Sequence, residues 1–165
     1  MINHRQNVLS EIDKFIADND INNLRCLELG SGNASDFKDK FEQYNIKEWL
    51  MTDKNDNIFM ENLPYEDDSF DLIFSCHAFE HCENPLKALR EMKRVSKKWV
   101  IIITPFHCKH QILNADFDHI FCLTEIQMKR LFRYTGIIED KIYVQDIMGA
   151  KEQDYNLISI GKGDY

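Results

Sequence analysis

Between positions 4 and 17 the apolar residues fall at Val8, Leu9, Ile12, Phe15 and Ile16. That one-sided spacing predicts an amphipathic helix, set to pack across the sheet edge or close over the ligand side of the fold. The polar run Asp18-Asn19-Asp20 ends it, and Leu24, Leu27 and Leu29 then crowd into a short stretch that reads as a buried strand. Gly30-Ser31-Gly32 turns the chain, and Phe37, Phe41 and Tyr44 resume helical spacing at i, i+4 and i+7. Trp49-Leu50-Met51-Thr52-Asp53 is a second short strand ending in an acid. Residues 54–62 leave too little chain for a crossover helix, which takes about a dozen residues or more. Ile58-Phe59-Met60 is therefore expected as a short edge strand or extended loop. A further apolar run, Phe70-Asp71-Leu72-Ile73-Phe74-Ser75, predicts another strand.

Asn84 can N-cap a helix with Pro85 at its first position, and Leu86, Leu89 and Met92 continue at helical spacing. Residues 99–104 read as a fully buried strand ended by Pro105. Thr124 and Gln127 form a capping box for a helix over 125–135, with Gly136 placed as its stop. Tyr143-Val144 and Leu157-Ile158-Ser159-Ile160 read as two closing strands.

Composition narrows the function classes. A chain of 165 residues with 44% hydrophobic content suits one domain, expected over 1–165. A net charge of −8 speaks against sequence-independent nucleic-acid binding and against an anionic membrane surface. No apolar run approaches the roughly 20 residues that span a bilayer, and no secretory signal stands at the start. Cys26, Cys76, Cys82, Cys108 and Cys122 are scattered and odd in number, the usage of a reducing compartment, so a cytoplasmic location is expected.

Candidate chemistry begins at Gly30 and Gly32, which lack a Cβ and so allow a sharp turn and close approach to a ligand. Strand, glycine turn and helix make the first unit of a nucleotide-binding α/β fold. The dinucleotide form of the turn asks for a third glycine where Ser35 stands. Asp53 lies a little more than about 20 residues on, where such folds place a carboxylate for ribose hydroxyls. The form Glu28-x-Gly30-x-Gly32, with Ala34 in place of a further glycine, is instead that of class I, Rossmann-like S-adenosylmethionine-dependent methyltransferases, and the stretch resembles it.

The resemblance extends through Leu63-Pro64-Tyr65-Glu66-Asp67-Asp68-Ser69-Phe70-Asp71, then Cys76-His77-Ala78-Phe79-Glu80-His81, Asn84-Pro85, Ala88-Leu89-Arg90-Glu91 and Arg94-Val95. It is similar there to the small-molecule methyltransferases related to quinone-biosynthesis C-methyltransferases. Asp118-His119-Ile120-Phe121-Cys122-Leu123-Thr124 fits the same pattern. Two departures stand out: Lys97-Lys98 replaces the family's Lys-Pro-Gly-Gly turn, and Phe59 stands where an acid often reaches the adenine.

The resemblance implies a three-layer, doubly wound, mostly parallel sheet with a reversed last strand, made compact by the reduced connection after the second strand. It implies S-adenosylmethionine as cofactor, leaving S-adenosylhomocysteine as product. Glu28, Gly30, Ser31 and Gly32 would line its methionine part, with backbone amides close by, and Asp53 would hold the ribose. Met60, Glu61 and Asn62 would flank the adenine, and Ser75 and His77 would border the sulfonium. The partner is a small-molecule methyl acceptor; the acceptor atom and the oligomeric state stay open. Histidine suits a base near neutral pH, and His77, His110 and His119 are the candidates.

Two clusters carry metal-ligand residue types. His77-Ala78-Phe79-Glu80-His81 is a literal His-x-x-Glu-His, but a helix start at Asn84-Pro85 follows too soon for a zinc-protease helix. His107, Cys108 and His110 with Asp116, Asp118, His119 and Cys122 match no closed tetrahedral spacing. No metal is expected from either. Two other function classes remain: a degenerate methyltransferase-fold binding module, and a nicotinamide-dependent oxidoreductase.

Overall fold

The computed structural model describes residues 4–32, 36–106, 119–146 and 155–163. Among these residues the α-helices and strands follow in the order α1 (His4–Asp18), β1 (Arg25–Leu29), α2 (Asp36–Glu42), β2 (Glu48–Thr52), β3 (Phe70–Cys76), α3 (Pro85–Val95), β4 (Ser96–Phe106), α4 (Glu125–Thr135), β5 (Ile138–Asp146) and β6 (Tyr155–Lys162). The strands form one six-stranded sheet ordered β2-β1-β3-β4-β6-β5. β1 pairs parallel with β2 and β3, and β3 parallel with β4. β6 runs antiparallel to both β4 and β5. This is the mixed α/β sheet with a reversed last strand that the resemblance implied.

Each face of the sheet carries its own core. Leu27 and Leu29 of β1 point to one face, which packs on Ala88, Leu89, Met92 and Val95 of α3 and Met128 and Phe132 of α4. Cys26 points to the other, which packs on Val8, Ile12, Phe15 and Ile16 of α1 and Phe37 and Phe41 of α2. Period-two alternation in the strands and the apolar stripes of the helices produce these three layers. Phe15 meets Trp99 edge-on with centroids 5.3 Å apart, fixing α1 on the sheet face rather than over its edge.

The caps act where the sequence placed them. The Asn84 side chain accepts from the Lys87 amide, with Pro85 in the first turn. Thr124 and Gln127 make a reciprocal box, and Gly136 ends α4 in the left-handed region at φ 75°.

Two segments differ from the sequence reading. α3 passes directly into β4, with Ser96 already extended at φ −95° and ψ 127°. The pairing with β3 shifts between Phe70 and Leu72, so Lys97 and Lys98 stand opposite the single residue Asp71 and the one extra residue is absorbed as a bulge instead of a glycine turn. β4 also does not stop at Pro105 but runs to Phe106. The β3 ladder ends at Cys76↔Ile103, so Pro105 pairs only with β6, and the missing amide costs no β3 bond.

After β2, one 3-10 turn at Lys54–Asp56 replaces a crossover helix, as the short connection required. Phe59 and Asn62 then form an isolated bridge closed by the Asn62 amide donating to the Phe59 carbonyl at 3.0 Å, so 58–60 is a tight turn and not a strand of the sheet.

Candidate active site

The chain leaves β1 toward β2 on one side and reaches β3 on the other, so the order reverses between β1 and β3. Ligands of open α/β sheets bind outside the carboxyl ends of the strands at such a point. Gly30 sits there at φ 74°, and a Cβ on it would lie 2.2 Å from the Ala78 Cβ and 3.3 Å from the Met60 Cε. The loops after β1 and β3 therefore touch through a position only glycine can fill. Gly32 has φ 62° and, among the described residues, nothing within 4 Å of where its Cβ would be.

The amides of this turn face away from the cleft. Gly30 and Ser31 donate to the Thr52 carbonyl at 2.8 and 3.2 Å, and Gly32 donates to Asp53 Oδ2 at 3.3 Å. The amides of these three residues are thus engaged within the protein. A phosphate needs free N–H groups, which they do not offer. An ammonium group needs acceptors, which carbonyls supply.

Glu28 is 3% exposed, and its Oε2 accepts from Trp49 Nε1 at 2.8 Å, so its carboxylate braces β1 against β2. Asp53 is half-buried at the head of the 3-10 turn. Its Oδ1 accepts from the Asn55 amide at 3.0 Å, and Asp56 Oδ2 accepts from the Asp53 amide at 3.0 Å. A carboxylate offers about four acceptor sites, so Asp53 retains acceptor capacity after both of its bonds. Glu61 Oε1 accepts from the amides of Glu83 and Asn84 at 2.7 and 3.1 Å, joining the 58–62 turn to the start of α3. Asn62 is exposed, Met60 is half-buried and Phe59 is 55% exposed.

At the end of β3, Ser75 is fully enclosed, whereas Cys76 is half-buried and His77 exposed. Of the residues expected to border the sulfonium, only His77 presents its side chain to the open side. It stands at φ 51°, a left-handed conformation that is uncommon outside glycine and recurs at functional sites. Its Nε2 lies 3.0 Å from Oδ1 of the buried Asn156. Asn156 Nδ2 donates to Gln145 Oε1 at 3.5 Å, and Gln145 Nε2 donates to Glu11 Oε1 at 3.1 Å.

The Glu11 carboxylate can only accept, so the amides of Gln145 and Asn156 are both oriented by it in turn. Asn156 then shows its carbonyl oxygen to the ring, and His77 must donate from Nε2. That leaves Nδ1 as the basic nitrogen. The ring's ¹⁵N shifts are expected to report the Nε2–H tautomer near pH 8; the Nδ1–H pattern would overturn this relay. Glu11 also accepts from Tyr143 Oη and Lys14 Nζ. Burial, and then the bond to Glu11, hold the Tyr143 phenol above its ordinary range.

Beyond His77, a 3-10 turn at Phe79–His81 buries Phe79 and Glu80. Burial raises the Glu80 carboxyl to about 7. The Ile120 amide donates to the Glu80 carbonyl at 3.0 Å, which brings His119 alongside. His110, His107, Cys108, Ala34 and Ser35 lie outside the described residues. The structure thus gathers Gly30, Gly32, Asp53, Met60 and His77 around the switch point and sets His119 on the far side of Glu80. Sequence reasoning missed Ala78, Asn156, Gln145 and Glu11. Glu11 had left a trace, as an acid on an otherwise apolar helix face.

Residues 54–104 match the family model described as a methyltransferase domain. No curated protein matches the sequence. Among solved structures, the chain is similar to a putative methyltransferase from Bacillus halodurans, at 13% identity and a TM-score of 0.67, covering 93% of this chain and 96% of that one. It is similar to the YcgJ protein of Bacillus subtilis at 14% identity and a TM-score of 0.66, covering 98% and 100%. It is also similar to phosphoethanolamine N-methyltransferase 2 of Haemonchus contortus, solved with S-adenosyl-L-methionine, at 11% identity and a TM-score of 0.74, covering 98% and 53%. These likenesses establish the methyltransferase-type fold.

Proposed function

We propose that the protein transfers a methyl group from S-adenosylmethionine to a small-molecule acceptor. The observation that carries this reading is the turn at Gly30, pressed against Ala78 at the switch point and tied through Gly32 to Asp53. The methyltransferase-domain match over 54–104 and the cofactor held by the Haemonchus enzyme support the choice of ligand. The likeness to quinone-biosynthesis C-methyltransferases remains part of the proposal, resting on the motifs from Leu63 to Val95.

When bound, S-adenosylmethionine supplies a methyl carbon already activated by positive sulfur. The residues of this chain have simpler tasks. Carbonyls of the turn at Gly30, Ser31 and Gly32 accept from the ammonium of the methionine part, and Glu28 holds that turn in place. Asp53 accepts from the ribose hydroxyls. Met60 and Asn62 flank the adenine, and Glu61 anchors their turn to the α3 start. Ser75 acts through its backbone at the end of β3. His77 takes the proton from a hydroxyl or amine acceptor at Nδ1, its ring held by Asn156 through Nε2. Alignment of acceptor and methyl carbon provides most of the acceleration, and a positioned base adds to it.

The discriminating experiment is a thermal melt with S-adenosylhomocysteine and NAD in parallel. A ligand that binds only the folded state raises the melting temperature by mass action, by the equivalent of about 2.7 kcal/mol at 100 times its Kd. S-adenosylhomocysteine is expected to raise it and NAD to leave it unchanged. No shift at millimolar S-adenosylhomocysteine, in a folded sample, would favour the degenerate binding module, for which exposed Phe59 in place of the adenine-binding acid is the structural motive. A shift with NAD alone would favour the oxidoreductase, against which the engaged amides of residues 30–32 already speak.

A further inference from the structure

Two histidines from separate stretches converge on one buried carboxylate. Glu80 is 2% exposed, and neither of its carboxylate oxygens has a hydrogen-bond partner among the described residues. His81 Nε2 stands 3.9 Å and His119 Nε2 3.8 Å from the same oxygen, Oε1. The two imidazole rings meet edge-on with centroids 5.0 Å apart. One ligand atom from each of the three residues lies within 4.8 Å of the others.

We propose that Glu80, His81 and His119 form a binding site for a divalent transition-metal ion, Zn²⁺ being the best match. Two imidazoles and a carboxylate are a common donor set for zinc, with bonds of about 2.0–2.2 Å and tetrahedral angles. Such bonds place ligand atoms about 3.4 Å apart. The two separations from Glu80, 3.8 and 3.9 Å, are therefore about 0.5 Å too wide, and the three atoms lie within 4.8 Å of one another, so rotation of both imidazoles has to close the set. They are far too wide for direct hydrogen bonds, which bring nitrogen and oxygen to about 2.7–3.2 Å. The geometry is thus that of three donors around a gap, not of two imidazolium ions clasping an acid.

A carboxylate buried without donors is costly, and an ion in the gap removes that cost. Magnesium prefers an all-oxygen octahedral shell, so the imidazoles also set the selectivity. Three protein ligands leave one tetrahedral position open, the arrangement of zinc sites that bind water or a substrate atom.

The test needs no cofactor and no acceptor, so its outcome is separate from that of the methyl-transfer reading. The full chain, dialysed against a chelator, is titrated calorimetrically with Zn²⁺ and with Mg²⁺, and melted with and without each. The expected result is one Zn²⁺ per chain, a raised melting temperature, and little response to Mg²⁺. Glu80→Gln keeps the side-chain volume and removes the buried charge, so it should fold and lose at least tenfold in Zn²⁺ affinity. His81→Ala provides a second reading, because that side chain is 35% exposed and its truncation spares the core. Absence of saturable uptake, or uptake that both variants retain, would overturn the site.

Discussion

Gly30→Val is expected to abolish S-adenosylhomocysteine binding and to lower the melting temperature by several degrees. Two separate costs add at this position. The backbone sits at φ 74°, and a non-glycine residue held in the left-handed region costs about 1–3 kcal/mol, most for a β-branched side chain. The new Cβ would also stand 2.2 Å from the Ala78 Cβ, which forces the loops after β1 and β3 apart. Overpacking of this kind costs about 1–3 kcal/mol, against a total stability of about 5–15 kcal/mol.

The two costs can be read apart. Gly32→Ala meets the φ penalty without the contact, because no described residue lies within 4 Å of its Cβ position. Gly30→Ala combined with Ala78→Gly relieves the contact without changing φ. The order of stability should be wild type, then Gly32→Ala, then the double variant, then Gly30→Val. A Gly30→Val protein that is folded and binds S-adenosylhomocysteine with native affinity would reduce the turn to a mere connector.

Asp53→Ala is expected to weaken S-adenosylhomocysteine by about one to two orders of magnitude. Hydrogen bonds to a charged acceptor contribute about 1.5–3 kcal/mol, and each factor of ten corresponds to about 1.4 kcal/mol. From sequence alone, a strand-end acid facing a cleft has few partners and its loss should leave the free protein's stability almost unchanged. The structure alters that expectation. Asp53 caps the 3-10 turn and accepts from Gly32, so the free protein should also lose about 1 kcal/mol.

Asp53→Asn should be milder on both counts, since the amide keeps one acceptor oxygen. Asp56, three residues on in the same turn, is a second acid that could reach the ribose, but its Oδ2 already accepts from the Asp53 amide. Asp56→Ala should therefore disturb the turn and leave most of the affinity intact. Titrating both alanine variants settles the assignment, and native affinity in both would sink it.

The sequence by itself determined everything that rests on neighbours along the chain. The cap at Asn84, the capping box at Thr124 and Gln127, and the stop at Gly136 are local hydrogen-bond chemistry, and each is found where expected. The parallel core was legible for a related reason: a short apolar strand, a glycine turn and a helical stripe encode one βα unit, and the nine-residue limit after Asp53 forbade another helix. Chemistry that depends on approach between distant segments was not legible. Gly30 advertised a close contact, but only the pairing of β1 with β3 made Ala78 its partner.

His77, His110 and His119 looked equivalent along the chain. The antiparallel return of β6 sets Asn156 beside His77, while the Ile120 amide draws His119 to Glu80. Glu80 and His81 belonged to a cluster set aside because a helix start follows too soon, and His119 to one set aside for matching no tetrahedral spacing, since spacing within one segment says nothing of donors supplied by two. Ser75 was expected beside the sulfonium; its side chain is fully buried, so only its backbone is left to serve there. In each case the deciding quantity is a distance across the sheet's carboxyl edge, fixed by strand order and register rather than by any local preference.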